Sequence, residues 1–122
     1  MPDHRWTTKD IPNLKGKTAL VTGANIFVGN GLDGLYTYSH GNIVLNSVYA
    51  NNNGGTGVYG SADGKILISC GSMTGNTAYG WEFWVPSTQT VTLKGVFAYG
   101  NNGGAGNTKL DGGTLVTSLS CP

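Results

Sequence analysis

The 122-residue sequence predicts an all-β fold: a short solenoid of about four coils, each turn of chain stacked on the one before. Three observations carry that expectation. The chain repeats itself at an offset of 23 residues. Glycine supplies 21 of its residues and charged side chains only 11%, while Val, Ile, Leu and Tyr recur steadily, a turn-dense β composition. No segment sustains a period of 3.6, so helix is nearly absent.

The repeat sets each element in turn. Leu20, Ile43 and Ile66 share a register, as do Asn30, Asn53 and Asn76, and Gly34, Gly57 and Gly80. A two-residue insertion near Pro86-Ser87-Thr88 then carries Ile66 to Val91 and Asn76 to Asn101. A further offset of 23 takes Leu93 to Val116 and Val96 to Leu119. Within a unit, GNIVLNSV places Ile43 and Leu45 on one face, an Asn/Gly turn such as NNNGG follows, and a second strand such as GLYTY, GVYG or GWEFWV completes the coil. Equivalent residues then form ladders about 4.8 Å apart. Apolar ladders face inward, and Asn30, Asn53, Asn76 and Asn101 form an amide ladder at one corner. Corner glycines supply positive φ. The strand KTALV is the expected first rung or cap, which divides the chain into an N-terminal extension, 1–17, and a repeat domain, 18–122.

Charge and hydropathy exclude several classes of function. With a net charge of +1 and no basic cluster after Lys17, the chain is not built to hold nucleic acid. No window approaches the roughly 18 to 20 apolar residues of a membrane span. The polar start MPDHRWTTKD lacks the apolar region of a secretory signal, so the chain as written is expected to stay in the cytosol. Cys70 maps through the repeat to 95 and 118, which sets Cys121 two coils away, about 9.6 Å along the axis and beyond the roughly 7 Å reach of a disulfide. Cys70 is therefore expected to be an unbridged core or corner residue. GGTGVY and GGAGNT begin like a calcium nonapeptide, but Tyr59 and Thr108 stand where the ligand Asp belongs, so no metal is expected.

Residues 22–122, with units such as NNNGGTGVYG…GKILIS and NTAYGWEFWV…QTVTLKGVFA, resemble the right-handed parallel β-helix repeats of the pectin-lyase-like superfamily. The likeness is nearest to the Gly/Asn-rich arrays of large bacterial surface proteins, which implies a secreted or cell-surface parent. Pectin-cleaving members use clustered carboxylates, with calcium or an arginine base in the lyases and paired aspartates in the hydrolases. Here the repeat holds only Asp33, Asp63, Glu82 and Asp111 as acids and no Arg. Asp33 and Asp63 are out of register, and His40, in the turn SHGN, has no acid at a short spacing, so these are expected to be solvated turn residues. No catalytic residue and no cofactor is expected, and the reading is a non-catalytic structural or adhesive segment. Outward aromatics offer a polysaccharide-binding surface through Tyr36, Tyr59 and Trp84, with Tyr36 and Tyr59 in one register and Tyr49, Tyr99 and Trp84 also facing out. The bland reading is that Tyr is a favoured strand residue. Nothing after Leu119 reads as a cap, so an open edge able to stack on another copy is expected.

Residues 5–25, RWTTKDIPNLKGKTALVTGAN, resemble the start of a short-chain dehydrogenase/reductase. That resemblance implies an alternative: a truncated oxidoreductase holding NAD(P) at a phosphate loop that would include Thr22, Gly23 and Gly29. Phe27 stands where the family has glycine, Asn30-Gly31-Leu32-Asp33-Gly34 is a poor helix start, and no Tyr-x-x-x-Lys pair exists. The chain thus reads as a chimera, a junction between a dehydrogenase-like opening and a β-helix array.

Overall fold

A computed structural model describes residues 16, 18–21, 25–102 and 107–122. The described residues form ten strands and no helix: β1 (Ala19–Val21), β2 (Asn25–Val28), β3 (Leu35–Ser39), β4 (Ile43–Asn51), β5 (Val58–Ala62), β6 (Ile66–Thr74), β7 (Trp81–Trp84), β8 (Thr90–Tyr99), β9 (Thr108–Asp111) and β10 (Thr114–Ser118). Every pairing is parallel. One sheet runs β1-β4-β6-β8-β10 with β2 also on β4, and the other runs β3-β5-β7-β9. The chain is a parallel β-solenoid of about four turns, and β1, the ALV of the expected first rung, pairs on it with Ala19 opposite Ile43.

The long strands β4, β6 and β8 are each folded at a left-handed residue: Ser47 (φ 56°), Cys70 (φ 64°) and Gly95 (φ 62°). Each coil therefore has three faces: the arm before that corner, the arm after it, and the β3-β5-β7-β9 sheet. A second left-handed corner recurs at Gly29 (φ 71°), Asn52 (φ 56°), Gly75 (φ 65°) and Gly100 (φ 66°), closing the second arm before the chain crosses to the third face. The inward rows are filled in two ways, by like-sized aliphatics or by large residues alternating with small. Ile43, Ile66 and Val91 stack on the first arm, and Phe27, Ala50, Met73 and Ala98 alternate on the second. On the third face Gly60 leaves room for Phe83, since a β-carbon there would lie 2.9 Å from its ring. Phe83 in turn stacks on Trp81, centroids 4.8 Å apart.

Registers at the two ends differ from a uniform offset of 23. Leu20 pairs with Val44 rather than Ile43, and Leu93 pairs with Thr117 rather than Val116. Trp81 pairs with Thr108, 27 residues on, because the two-residue insertion near Pro86 is joined by a β8-to-β9 connection two residues longer than its counterparts. Such changes fall between strands, where loop length is weakly constrained.

The asparagine ladder forms as the repeat predicts. The side-chain Nδ2 of Asn30 donates to Oδ1 of Asn53, that of Asn53 to Asn76 and that of Asn76 to Asn101, at 3.0, 3.0 and 2.9 Å. Each Oδ1 also accepts the backbone N–H of the preceding ladder residue. The second Nδ2 proton of Asn53, Asn76 and Asn101 goes to the carbonyls of Phe27, Ala50 and Met73. Asn53 and Asn76 are 2% and 1% exposed, so this full pairing removes the desolvation cost of burying them. The register glycines serve the same ladder. A β-carbon on Gly34, Gly57 or Gly80 would come within 2.6 to 2.7 Å of the Nδ2 of Asn53, Asn76 or Asn101. These three glycines are required for close approach, whereas positive φ is needed at the corners named above. Beyond Asn101 the ladder ends on Asn107, whose Oδ1 accepts the Asn101 N–H at 2.8 Å.

The cysteine expectation is overturned. Cys70 and Cys121 form a disulfide with their Cα atoms 5.2 Å apart. The two-coil estimate assumed that the tail continues around the next coil. Instead β10 ends at Ser118, opposite Lys94, and the residues after it lie across the corner at Gly95. A β-carbon on Gly95 would sit 2.8 Å from the Cβ of Cys121, so the bare glycine is what lets the tail reach the coil below. Cys70 does occupy a corner, as its register implies.

Two stability measurements follow. Asn76→Ala strips the acceptor from the Asn53 amide and the donor from the Ala50 carbonyl, and is expected to cost about 2–4 kcal/mol in urea unfolding. Asn30→Ala, at the open end of the ladder, is expected to cost about 1 kcal/mol or less. The disulfide links positions 51 residues apart. Its reduction, or Cys121→Ser, is expected to lower stability by up to about 4 kcal/mol, read as a drop in the denaturant midpoint with dithiothreitol.

Candidate functional site

The third face, β3-β5-β7-β9, carries the candidate site. Alternation along each strand turns Leu35, Thr37, Val58, Gly60, Trp81 and Phe83 inward, and so projects Tyr36, Tyr38, Tyr59, Ser61, Glu82 and Trp84 outward. Parallel registry lines these up in rows along the solenoid axis. One row reads Tyr36, Tyr59, Glu82, Lys109, and the other Tyr38, Ser61, Trp84, Asp111.

Of the three expected sugar-contacting residues, the structure brings two together and sets the third beside them. Tyr36 and Tyr59 stack with centroids 4.7 Å apart and planes within 8°, a separation set by the strand spacing. Trp84 stands one coil further on in the neighbouring row, exposed, with the small Ser61 between it and Tyr38. Partial burial of Tyr59, together with the nearby Tyr36 and Glu82, pushes its phenol above the ordinary 10.0. Tyr49 and Tyr99 also face solvent, but on the second arm, away from this face.

Polar groups surround the rings. Lys109 Nζ lies 3.3 Å from Glu82 and 3.8 Å from Asp111, and 6.0 Å from the centroid of the Tyr79 ring. The hydrogen bond to Glu82, reinforced by the charge of Asp111, holds the ammonium above its ordinary 10.5. At the far end of β3, His40 Nδ1 is 2.9 Å from Asp63 Oδ2, and the His40 ring meets Tyr38 edge-on. His40 is thus not a lone turn residue: its acid lies one coil away at 23 residues, a spacing the repeat contains and a search for short spacings misses. Asp33 is likewise engaged, its Oδ1 accepting the Thr56 N–H at 2.7 Å. The Lys109 contacts were hidden because Glu82 and Lys109 pair 27 residues apart, beyond the offset of 25 that the repeat reaches after its insertion.

Thr22 and Gly23, two positions of the dehydrogenase-like loop, lie outside the described residues. Gly29 is the first of the recurring left-handed corners, and the chain beyond it enters β3 rather than a helix. Among the described residues no cluster of three or more His, Cys, Asp or Glu is placed to hold a metal ion, and no helix is long and apolar enough to cross a membrane.

Fold and face together define a parallel β-solenoid with one aromatic, acid-flanked flat face. No family model matches the chain, and no curated protein or solved structure matches it.

The stacked tyrosines make a titration prediction. Between 10.0 and its raised folded value, Tyr59 keeps a proton that the unfolded chain has lost, so its contribution to stability falls as pH climbs through that window. Lys109 acts in the same sense above 10.5. Phenolate absorbance is expected to show one late-titrating tyrosine, which Tyr59→Phe removes.

Proposed function

We propose that this chain is a non-catalytic β-helix segment of surface-array type, structural or adhesive, whose third face holds polysaccharide through Tyr36, Tyr59 and Trp84. The observation that carries the reading is the exposed aromatic array on a flat sheet: a stacked tyrosine pair with Trp84 in the adjacent row. Aromatic rings give sugars an apolar surface, and neighbouring Glu82, Asp63 and Ser61 offer hydrogen-bond partners for hydroxyls. Tyr38 extends the surface, so it joins the three residues that the sequence singles out.

The electrostatics favour a neutral polymer. The one cation on the two aromatic rows, Lys109, is engaged by Glu82 and Asp111, which leaves no unopposed positive charge there for an acidic sugar. The resemblance of residues 22–122 to pectin-lyase-like repeats supports an array context, and the disulfide supports an oxidising compartment such as a cell surface. In such an array the outer edges of β9 and β10 receive a further coil of the same kind.

Affinity electrophoresis through gels containing a neutral β-glucan or an acidic galacturonan tests the reading. Retardation is expected in the neutral gel, weakened about five-fold or more by Trp84→Ala or Tyr36→Ala. Equal mobility in every gel would remove the carbohydrate reading.

A further inference from the structure

The second arm presents a different surface. Its outward positions form two rows along the axis: Ile26, Tyr49, Ser72, Phe97, and Val28, Asn51, Thr74, Tyr99. Neither row contains a charged residue. Ile26 and Val28 are 70% and 52% exposed on the first coil, and Phe97 and Tyr99 are 49% and 65% exposed on the fourth. Between these apolar ends the middle is polar and internally bonded, with Asn51 Oδ1 accepting from the Thr74 hydroxyl and backbone N–H.

We infer that this face is a self-complementary interface for a second copy of the chain, related by a two-fold axis parallel to the strands. That operation reverses the coil order and keeps the rows. Ile26 then meets Phe97 of the other copy, Val28 meets Tyr99, and Asn51 meets Thr74. Tyr49 meets Ser72, so the largest side chain of the second coil fills the gap over the smallest of the third. A two-fold along the solenoid axis has no such fit: it sets Phe97 against Tyr99, bulky on bulky, and Ser72 against Thr74, which leaves a hollow. Apolar and polar residues of the two rows together expose on the order of 600 Å² per copy, so two copies that cover the whole face bury on the order of 1,200 Å², the low end of specific interfaces. The face is distinct from the aromatic sheet and from the open edges of β9 and β10.

Sedimentation velocity between about 1 and 200 μM tests the assignment, with circular dichroism and thermal unfolding to confirm that each variant is folded. The wild-type chain is expected to pass from monomer to dimer over this range. Phe97→Glu is expected to weaken the dimer at least 30-fold, and Ser72→Tyr, which sets tyrosine on tyrosine, at least 10-fold. The double swap Tyr49→Ser/Ser72→Tyr is expected to recover most of the loss, since each large residue again faces a small one. A monomer at every concentration overturns the inference. So does an assembly indifferent to Phe97→Glu, which would place association at the strand edges, or a double swap no better than Ser72→Tyr alone, which would reject this two-fold.

Discussion

The side-chain hydrogen bond from one asparagine to the next is the constraint around which the coil is arranged. A buried amide has two donors and an acceptor to satisfy, and the interior of a narrow solenoid has few polar partners. Stacking at the strand spacing solves this, because the residue one coil along arrives with a complementary amide. The solution then reaches outward. It excludes a β-carbon at Gly34, Gly57 and Gly80, and it fastens the carbonyls of Phe27, Ala50 and Met73 as the second arm ends. It also places the left-handed residue, Gly29, Asn52, Gly75 or Gly100, one step before each ladder position. Within the described residues no buried side-chain nitrogen or oxygen lacks a partner.

The same regularity that builds the core builds the surfaces. Parallel pairing in register turns any outward residue into a row, so a face is chemically uniform unless the repeat varies it. The third face varies from tyrosine to charged side chains along its axis, and the second arm varies from apolar to polar and back. These gradients are where one coil differs from another, and both proposed surfaces are built on them. The inward rows stay largely apolar, and on the second arm and third face a large residue is answered by a small one, as dense packing demands.

Much of this was legible from residue spacing. The all-β solenoid and the Tyr36/Tyr59 pair lie where the offset of 23 holds, the four-member ladder follows it through one two-residue insertion, and the first rung at β1 lies one residue off it. What was not legible depends on chain that leaves the offset. Lys109 reaches Glu82 only because the chain between β8 and β9 is longer than the pattern sets. Cys121 reaches Cys70 because the tail abandons the coil path at a corner where Gly95 is bare, a three-dimensional shortcut that arithmetic along the axis does not contain. His40 and Asp63 were within reach of the pattern, since they are one repeat apart; a search for acids at short spacing passes over a contact made across coils. Gly29 illustrates the reverse case: one glycine satisfies both a phosphate-loop motif and a solenoid corner, and only its recurrence at 52, 75 and 100 separates the two.

The disulfide also changes how the chain would respond to a pull between its ends. Coils of a solenoid peel one at a time, each lengthening the tether as its strands come away. Here the bond from Cys70 to Cys121 closes a covalent ring around everything between them. The load would bypass β7, β8, β9 and β10 and cross from one sulfur to the other. The later coils are therefore carried outside the line of force, and unravelling would stop at the third coil while they stayed wound.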